Sequence, residues 1–336
     1  MKPAFSPLAS KYEPGQQYFP LHVTKLASGM DLCLGLHVVT GHKEGPTLGI
    51  ITTVHGDETI GLMAVRELLH SLDVKSLAGR VAVIPAANPL AVAVFNRQTP
   101  EQHGKTDLHE AFPGSPTGNL TQRMACVIAS NLLDHVDAFI DMHTGGLGGR
   151  LQWRADLDPT ARPEVYEVSL RLCRAFNAPF VHLDNVAGTA SRYCSGRGIP
   201  AVKPEIGGVY LGGPAEETYI ADACTGLRSI MAELNMIQLP VQPAKKQLLF
   251  GVKSRFEVNP SVGGFLRSHF DLPSDLGRRI EKGTKLGEII DIHKLEVVEE
   301  LKASVTGYLF FSRYSGVVDA GTKAFALAEE ATSQWL

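Results

Sequence analysis

His55-Gly-Asp-Glu58 sets an imidazole and a carboxylate three residues apart, and Asp141-Met-His143-Thr-Gly145 offers a second imidazole. Two histidines and one carboxylate leave one position of a tetrahedral ion open to water, which is the ligand set of a catalytic zinc centre. HxxE alone occurs often by chance. Its weight here comes from its setting, directly after a run that reads as a buried strand, with the second imidazole closing another such run. The five cysteines (33, 126, 173, 194 and 224) are scattered, odd in number and form no CxxC pair. That argues against a disulfide framework or a thiolate zinc site, so any metal should be held by His and carboxylate.

The elements that must position these groups follow from hydrophobic periodicity. Residues 48–54 and 81–85 are short apolar, β-rich runs, read as buried strands. Between them Ile60, Met63, Leu68, Leu69 and Leu72 recur at roughly helical spacing. Residues 119–136 read as a helix and 138–142 as a strand ending at His143. Residues 163–176 and 214–234 read as helices, and 179–183 and 201–205 as strands. Pro204 weakens the last of these or places it near a sheet edge. Buried strands alternating with amphipathic helices predict a three-layer α/β/α sandwich. In open sheets of this kind sites gather at the carboxyl ends of the strands, where His55, Glu58 and His143 fall.

After about residue 239 the texture changes. Prolines 240 and 243 with Lys245 and Lys246 look like a linker, and helical patterns then give way to short β runs separated by glycine. Residues 280–290 (IEKGTKLGEII) echo residues 318–327 (VDAGTKAFAL). Paired halves of this kind resemble the barrel-sandwich hybrid of biotinyl and lipoyl domains. The expected division is a hydrolase domain over 1–240 and a small all-β domain over 241–336.

The chain as a whole resembles the succinylglutamate desuccinylase/aspartoacylase family of the zinc carboxypeptidase-like superfamily. The likeness is carried by His55-Gly-Asp-Glu58, Phe112-Pro-Gly114, Asp141-Met-His143-Thr-Gly and Pro204-Glu205-Ile-Gly-Gly208. It implies one Zn²⁺ per chain on His55, Glu58 and His143, and hydrolysis of an amide bond in an N-acylated amino acid or related small molecule by a zinc-bound water. It further implies Glu205 as general base and acid. That role is physically reasonable, because a carboxylate beside an activated water can take its proton and pass it to the leaving amine. Taken alone, Glu205 could equally be a solvated strand-end carboxylate. The resemblance gives Arg97 the task of polarising the scissile carbonyl, which suits a fixed guanidinium; a surface arginine is the alternative. A homodimer is a further expectation from the family.

In one place the chain departs from that pattern. The family reads Asp-Leu-Asn-Arg before its Phe-Pro-Gly segment, and the Asn-Arg pair grips a substrate carboxylate. Here the run is Asp107-Leu-His109-Glu110-Ala-Phe112, so a cation is exchanged for an anion. The substrate could then carry a cationic or neutral group at that place, with His109 and Glu110 as its contacts. Another arginine (Arg150, Arg154, Arg192 or Arg197) could supply the clamp instead, or the ancestral activity could be lost. The intact zinc set speaks against loss. Asp57 and Asp141 are candidates for orienting the ligands, and each has an ordinary structural role as its alternative. The remaining histidines, His182 among them, have no partner motif. The glycines around 145–149 lack the lysine and helix of a phosphate loop and read as a loop bordering the site.

Composition narrows the field. Hydrophobic residues make up 44% and charged residues 20% of 336, which is a folded globular profile. The 32 basic and 35 acidic residues show no basic run, so neither nucleic acid nor an anionic membrane is an expected partner. No apolar stretch reaches the roughly 18 residues of a membrane span. The first residues lack the apolar core of a signal peptide, so a cytoplasmic protein is expected. Two other functions compete with the deacylase. One is a zinc carboxypeptidase acting on a short or cell-wall peptide, disfavoured by the missing Asn-Arg grip. The other is a carrier or interaction module with Lys294 at a hairpin tip, disfavoured by poor neighbouring sequence.

Overall fold

Leu48, Ile50 and Ile51 lie at the centre of the sheet, and their alternation sends side chains into two separate cores. A computed structural model describes residues 6–10, 13–146, 148–184, 186–208, 213–239, 246–270 and 272–336. The elements run in the order β1 (Gly15–Lys25), β2 (Asp31–Thr40), β3 (Lys43–Ile51), α1 (Ile60–Ser71), β4 (Ala78–Ile84), α2 (Pro89–Ala93) and α3 (Leu120–Asn131). They continue with β5 (Ala138–Asp141), β6 (His143–Thr144), β7 (Gly149–Leu157), α4 (Pro163–Phe176), β8 (Phe180–Leu183), α5 (Ala190–Gly196), β9 (Ala201–Gly207) and α6 (Gly213–Glu233). Strands β4, β3, β5 and β9 are parallel neighbours, with β2 and β1 added antiparallel on one side and β7 antiparallel on the other. One core is closed by α1, α4 and α6, through residues such as Leu68, Phe176 and Ile230. The other is closed by α3 and α5, through Met124, Ile128 and Cys194. This is the three-layer α/β/α arrangement that the periodicity predicts.

The expected helix over 119–136 breaks at Leu132 and resumes as a short 3-10 turn, Leu133–His135. Ser130 Oγ donates to the Cys126 carbonyl and Asn131 Nδ2 to that of Val127, so polar side chains compete with the ladder at the helix end. Pro204 is not at an edge: β9 lies between β5 and β7. It is tolerated because β9 pairs with β5 at Ala201 and Val202 and with β6 at Glu205 and Ile206, and Pro204 falls in the gap where that ladder is interrupted.

The C-terminal residues form β10 (Leu248–Gly251), β11 (Arg255–Val258), β12 (Gly264–Ser268), β13 (Arg279–Ile280), β14 (Lys285–Ile290), β15 (Val297–Lys302), β16 (Gly307–Arg313), β17 (Gly316–Val318), β18 (Phe325–Glu329) and β19 (Gln334–Trp335). The sequence repeat is a structural repeat. The first half passes from β13 in the large sheet to β14 in a four-stranded sheet; the second passes from β17 in that sheet back to β18 in the large one. Gly283 and Gly321 hold matching turn positions with φ of 88° and 80°, where a side chain would be strained. The linker expected at residues 240–245 lies outside the described residues; what joins the β unit to the rest within them is strand pairing. β16 pairs with β7 and β10 with β8, so its strands prolong the sheet that carries the site. No helix among the described residues is long and apolar enough to cross a membrane.

Candidate active site

Three neighbouring strand ends build the site. His55 follows β3 after a turn through Thr53, whose φ of 48° is left-handed and strained for a β-branched residue. That turn is held by Thr52 and Thr53 hydroxyls donating to the Pro85 carbonyl at 2.6 and 2.9 Å, and by the Asn88 N–H donating to the Thr53 carbonyl. Gly56 packs so closely on α2 that a Cβ would stand 2.0 Å from the Ala91 carbonyl carbon. Glu58 then enters one residue before the cap of α1. His143 and Glu205 are register partners in the β6–β9 ladder, which brings them to the same strand ends.

Both imidazoles turn Nδ1 toward Glu58. His55 Nδ1 lies 2.7 Å from Oε1 and His143 Nδ1 2.9 Å from Oε2, and the Thr144 N–H donates to Oε2 at 3.0 Å. The far nitrogens face two more carboxylates: His55 Nε2 is 3.2 Å from Asp107 Oδ1 and His143 Nε2 is 3.1 Å from Asp141 Oδ1. All of these groups except Asp107 are almost fully buried. Burial works to raise the Glu58 carboxyl, but His55 and His143 hold it well below the usual range. Burial works to lower His143, but Asp141 and Glu58 outweigh it and raise it well above normal; His55 is raised by Glu58 and Asp107 in the same way. A buried field that draws protons onto two imidazoles also draws a cation. With the aspartates orienting the far nitrogens, both Nδ1 lone pairs and a carboxylate converge, which suits a divalent metal.

The structure adds a third imidazole. His109 is buried, with its ring centroid 4.7 Å from that of His143 and 5.5 Å from that of His55. One ligand atom from each of His55, His109 and His143 falls within 4.8 Å of the others, so these three could also hold an ion. His109 Nδ1 has no hydrogen-bond partner among the described residues. Burial, reinforced by the positive charge of His143, Lys203, His55 and Arg97, keeps this ring well below the usual imidazole pKa. Asp107 also anchors Arg97, whose Nε donates to Oδ2 at 3.1 Å and whose Nη1 is 3.4 Å from His55 Nδ1.

His55, Glu58, Arg97, His109, His143 and Glu205 line one cleft of about 730 Å³, open mouth included. Glu110 does not: it is exposed, and its carbonyl accepts from Lys105 Nζ. Arg197 is half-exposed and pairs with Asp134 at 3.2 Å, and Arg192 sits on α5, both outside the cleft lining. Arg150 stacks on Tyr314 and is outside it too. Of the alternative arginines only Arg154, on β7, enters.

Arg154 belongs to a buried network that single-residue reasoning missed. Its Nε donates to Asp156 Oδ1 at 2.8 Å, and its Nη2 is 3.4 Å from Glu205 Oε1. His182 Nδ1 is 3.2 Å from Asp156 Oδ2, and Lys203 pairs with Asp184 and lies 3.8 Å from Asp156. Burial raises the Glu205 carboxyl, and the pull of Arg154 and His143 does not cancel it. The β unit contributes to the cleft lining through Arg255, Phe310, Phe311 and Lys323. The one sequence sign of the network was a strand, β7, carrying Arg154 and Asp156 close together among apolar residues.

A parallel sheet between two helical layers, with imidazoles and carboxylates converging at its strand ends, makes an α/β protein with a site fit for a metal. Residues 44–234, more than half of the chain, match the succinylglutamate desuccinylase/aspartoacylase catalytic domain, and the chain belongs to that family of deacylases, which act on amide bonds. A curated relative is the N-alpha-acetyl-L-2,4-diaminobutyric acid deacetylase of Halomonas elongata, 24% identical over 306 residues, covering 87% of this chain and 84% of that one. Among solved structures, the product-bound ectoine utilization protein EutE (DoeB) of Ruegeria pomeroyi superposes with a TM-score of 0.84 at 22% identity, covering 95% of this chain and 96% of that one. A succinylglutamate desuccinylase/aspartoacylase from Rhodobacter sphaeroides does so with a TM-score of 0.82 at 22% identity, covering 94% and 96%. At these identities the structures attest the fold, including the C-terminal β unit.

Proposed function

We propose that this protein is a zinc-dependent deacylase that hydrolyses the amide bond of an N-acylated amino acid or a related small molecule. Residues 1–240 supply the chemistry and 241–336 close the cleft. The observation that carries the reading is the convergence of His55 Nδ1, His143 Nδ1 and Glu58 in one cleft, with Glu205 on the adjoining strand. A zinc ion held by His55, Glu58 and His143, one per chain, would activate water and polarise the amide carbonyl when bound. Glu205 takes a proton from the attacking water and delivers it to the leaving amine. A carboxyl raised by burial suits both halves of that task, since it binds a proton more readily than an exposed glutamate does. Arg97, fixed by Asp107, stabilises the charge that develops on the carbonyl oxygen. His109, neutral and with a free Nδ1, is a contact for the substrate.

Phe310 and Phe311 of the β unit line the cleft, which favours a small substrate over a peptide. The test is hydrolysis by the zinc-loaded protein of N-acyl amino acids with acidic, neutral and basic side chains, an N-acetylated diamino acid among them. Glu205→Ala should lower kcat by about 10²–10⁴ while metal content stays at one per chain. Full activity under exhaustive chelation would overturn the reading.

A further inference from the structure

The exchange of arginine for Glu110 leaves open what binds the anionic part of a substrate, and the cleft itself offers an answer. Lys323 and Arg255 line it from the β unit, each with about a third of its side chain exposed. Their neighbours are already committed. Arg154 is bonded to Asp156, and Glu257 is taken by Arg255 Nη2 at 2.6 Å. Among the described residues Lys323 is left with Glu257 at 4.0 Å as its nearest carboxylate, while its Nζ rests 4.5 Å from the centre of the Phe311 ring.

The internal repeat provides a comparison within the molecule. Lys285 holds the position in the first half that Lys323 holds in the second, two residues after the turn glycine. Lys285 is satisfied by Glu288 at 2.6 Å and Glu300 at 2.9 Å. Among the described residues, the same backbone position at the cleft lacks such partners. Burial, together with the nearby Arg255, depresses the Lys323 ammonium to about 8. Another buried donor of the same cleft lacks a hydrogen-bond partner among the described residues, namely Arg154 Nη1, on a side chain that is 6% exposed. An under-compensated ammonium and an unfilled guanidinium donor in one cleft match a carboxylate, which accepts several hydrogen bonds at once.

We infer that Lys323, with Arg255 beside it, forms an anion subsite that takes a carboxylate of the substrate, in place of the arginine lost at position 110. The inference rests on the deacylase reading and names the substrate class, an N-acyl amino acid bound through its carboxylate. The backbone that presents Lys323 is pinned by Arg313, whose Nε donates to the Lys323 carbonyl at 2.8 Å. A lysine on so defined a turn can discriminate by position as well as by charge.

The experiment compares N-acetyl amino acids with their carboxamides on the zinc-loaded protein, as parent, Lys323→Met and Lys323→Arg. Methionine keeps the stem packed on Phe311 and removes the charge. The expected result is a parent preference for the free acid of about tenfold or more in kcat/KM, lost in Lys323→Met through KM, and recovered in part by Lys323→Arg. An acid-over-amide preference unchanged by Lys323→Met would overturn the inference. Calorimetric titration with N-acetylglycine gives a readout independent of turnover. Weaker binding to Lys323→Met than to the parent supports the subsite even if no panel member is hydrolysed, an outcome that would sink the deacylase reading alone. Equal binding to both proteins refutes the subsite.

Discussion

Asp156 is the carboxylate on which the cleft network turns, and Asp156→Asn tests that directly. The residue is 1% exposed and faces Arg154 at 2.8 Å, His182 at 3.2 Å and Lys203 at 3.8 Å. At an effective dielectric constant of about 20, a unit charge about 3 Å away is worth about 5 kcal/mol and one nearly 4 Å away about 4 kcal/mol. Most of this gross attraction offsets the cost of burying the charges, and breaking one partner out of a buried pair costs about 3–5 kcal/mol. Unfolding entropy scales at about 2.1 cal/mol/K per residue, so a chain of this length melting as one unit would lose about 4–7 °C in Tm. Differential scanning calorimetry at neutral pH provides the assay. The pH dependence carries a sign. Burial works to raise the Asp156 carboxyl, but Arg154, His182 and Lys203 hold it far below its usual value. Its contribution is therefore fully present above the unfolded value of about 4 and is lost as pH falls toward the depressed native one. The gap between parent and variant should be flat from pH 5 to 8 on account of this group and should narrow below about pH 4. A variant that melts within about 1 °C of the parent, or a gap that widens on acidification, would refute the reasoning.

Other perturbations follow from the same geometry. Asp107→Asn removes the charge that orients His55 and anchors Arg97. It should weaken zinc binding about 10–100-fold in a chelator competition, and an unchanged affinity would show that His55 is oriented by other means. Gly56→Ala drives a methyl into the α2 backbone at 2.0 Å. It should cost about 1–3 kcal/mol by thermal melting and bring metal content below one per chain, whereas full metal occupancy would mean that the turn relaxes freely. Thr53→Ala loses the bond to the Pro85 carbonyl while keeping the left-handed φ. A loss of about 1 kcal/mol is expected by denaturant titration, and Thr53→Gly, which relieves the strain, should lose less.

The sequence by itself determined the layers and the contents of the strand ends. Continuous apolar runs have to be buried on both faces, so a sheet between amphipathic helices follows from the sequence pattern alone, and a motif that closes a buried strand has to open onto the strand-end crevice. The placement of His55, Glu58, His143 and Glu205 at strand ends was legible for that reason. Their meeting was not, because it depends on β3, β5 and β9 being neighbours, and neighbour order is set by how the crossover helices pack. Pro204 shows the limit: taken alone it argues for an edge, yet the gap between β5 and β6 accommodates it inside the sheet. The rest was decided by tertiary structure. Glu110 is adjacent to His109 in the chain, but only His109 lines the cleft, because successive residues of a short 3-10 turn point in different directions. Arg154, Asp156, His182 and Lys203 sit on three strands and are unremarkable one by one; charges of this kind are stable when buried only because each finds the others. Lys285 and Lys323 occupy equivalent places in a repeat, and the sequence cannot tell them apart. The pairing of β16 with β7 sets one of them against the cleft and leaves the other among glutamates.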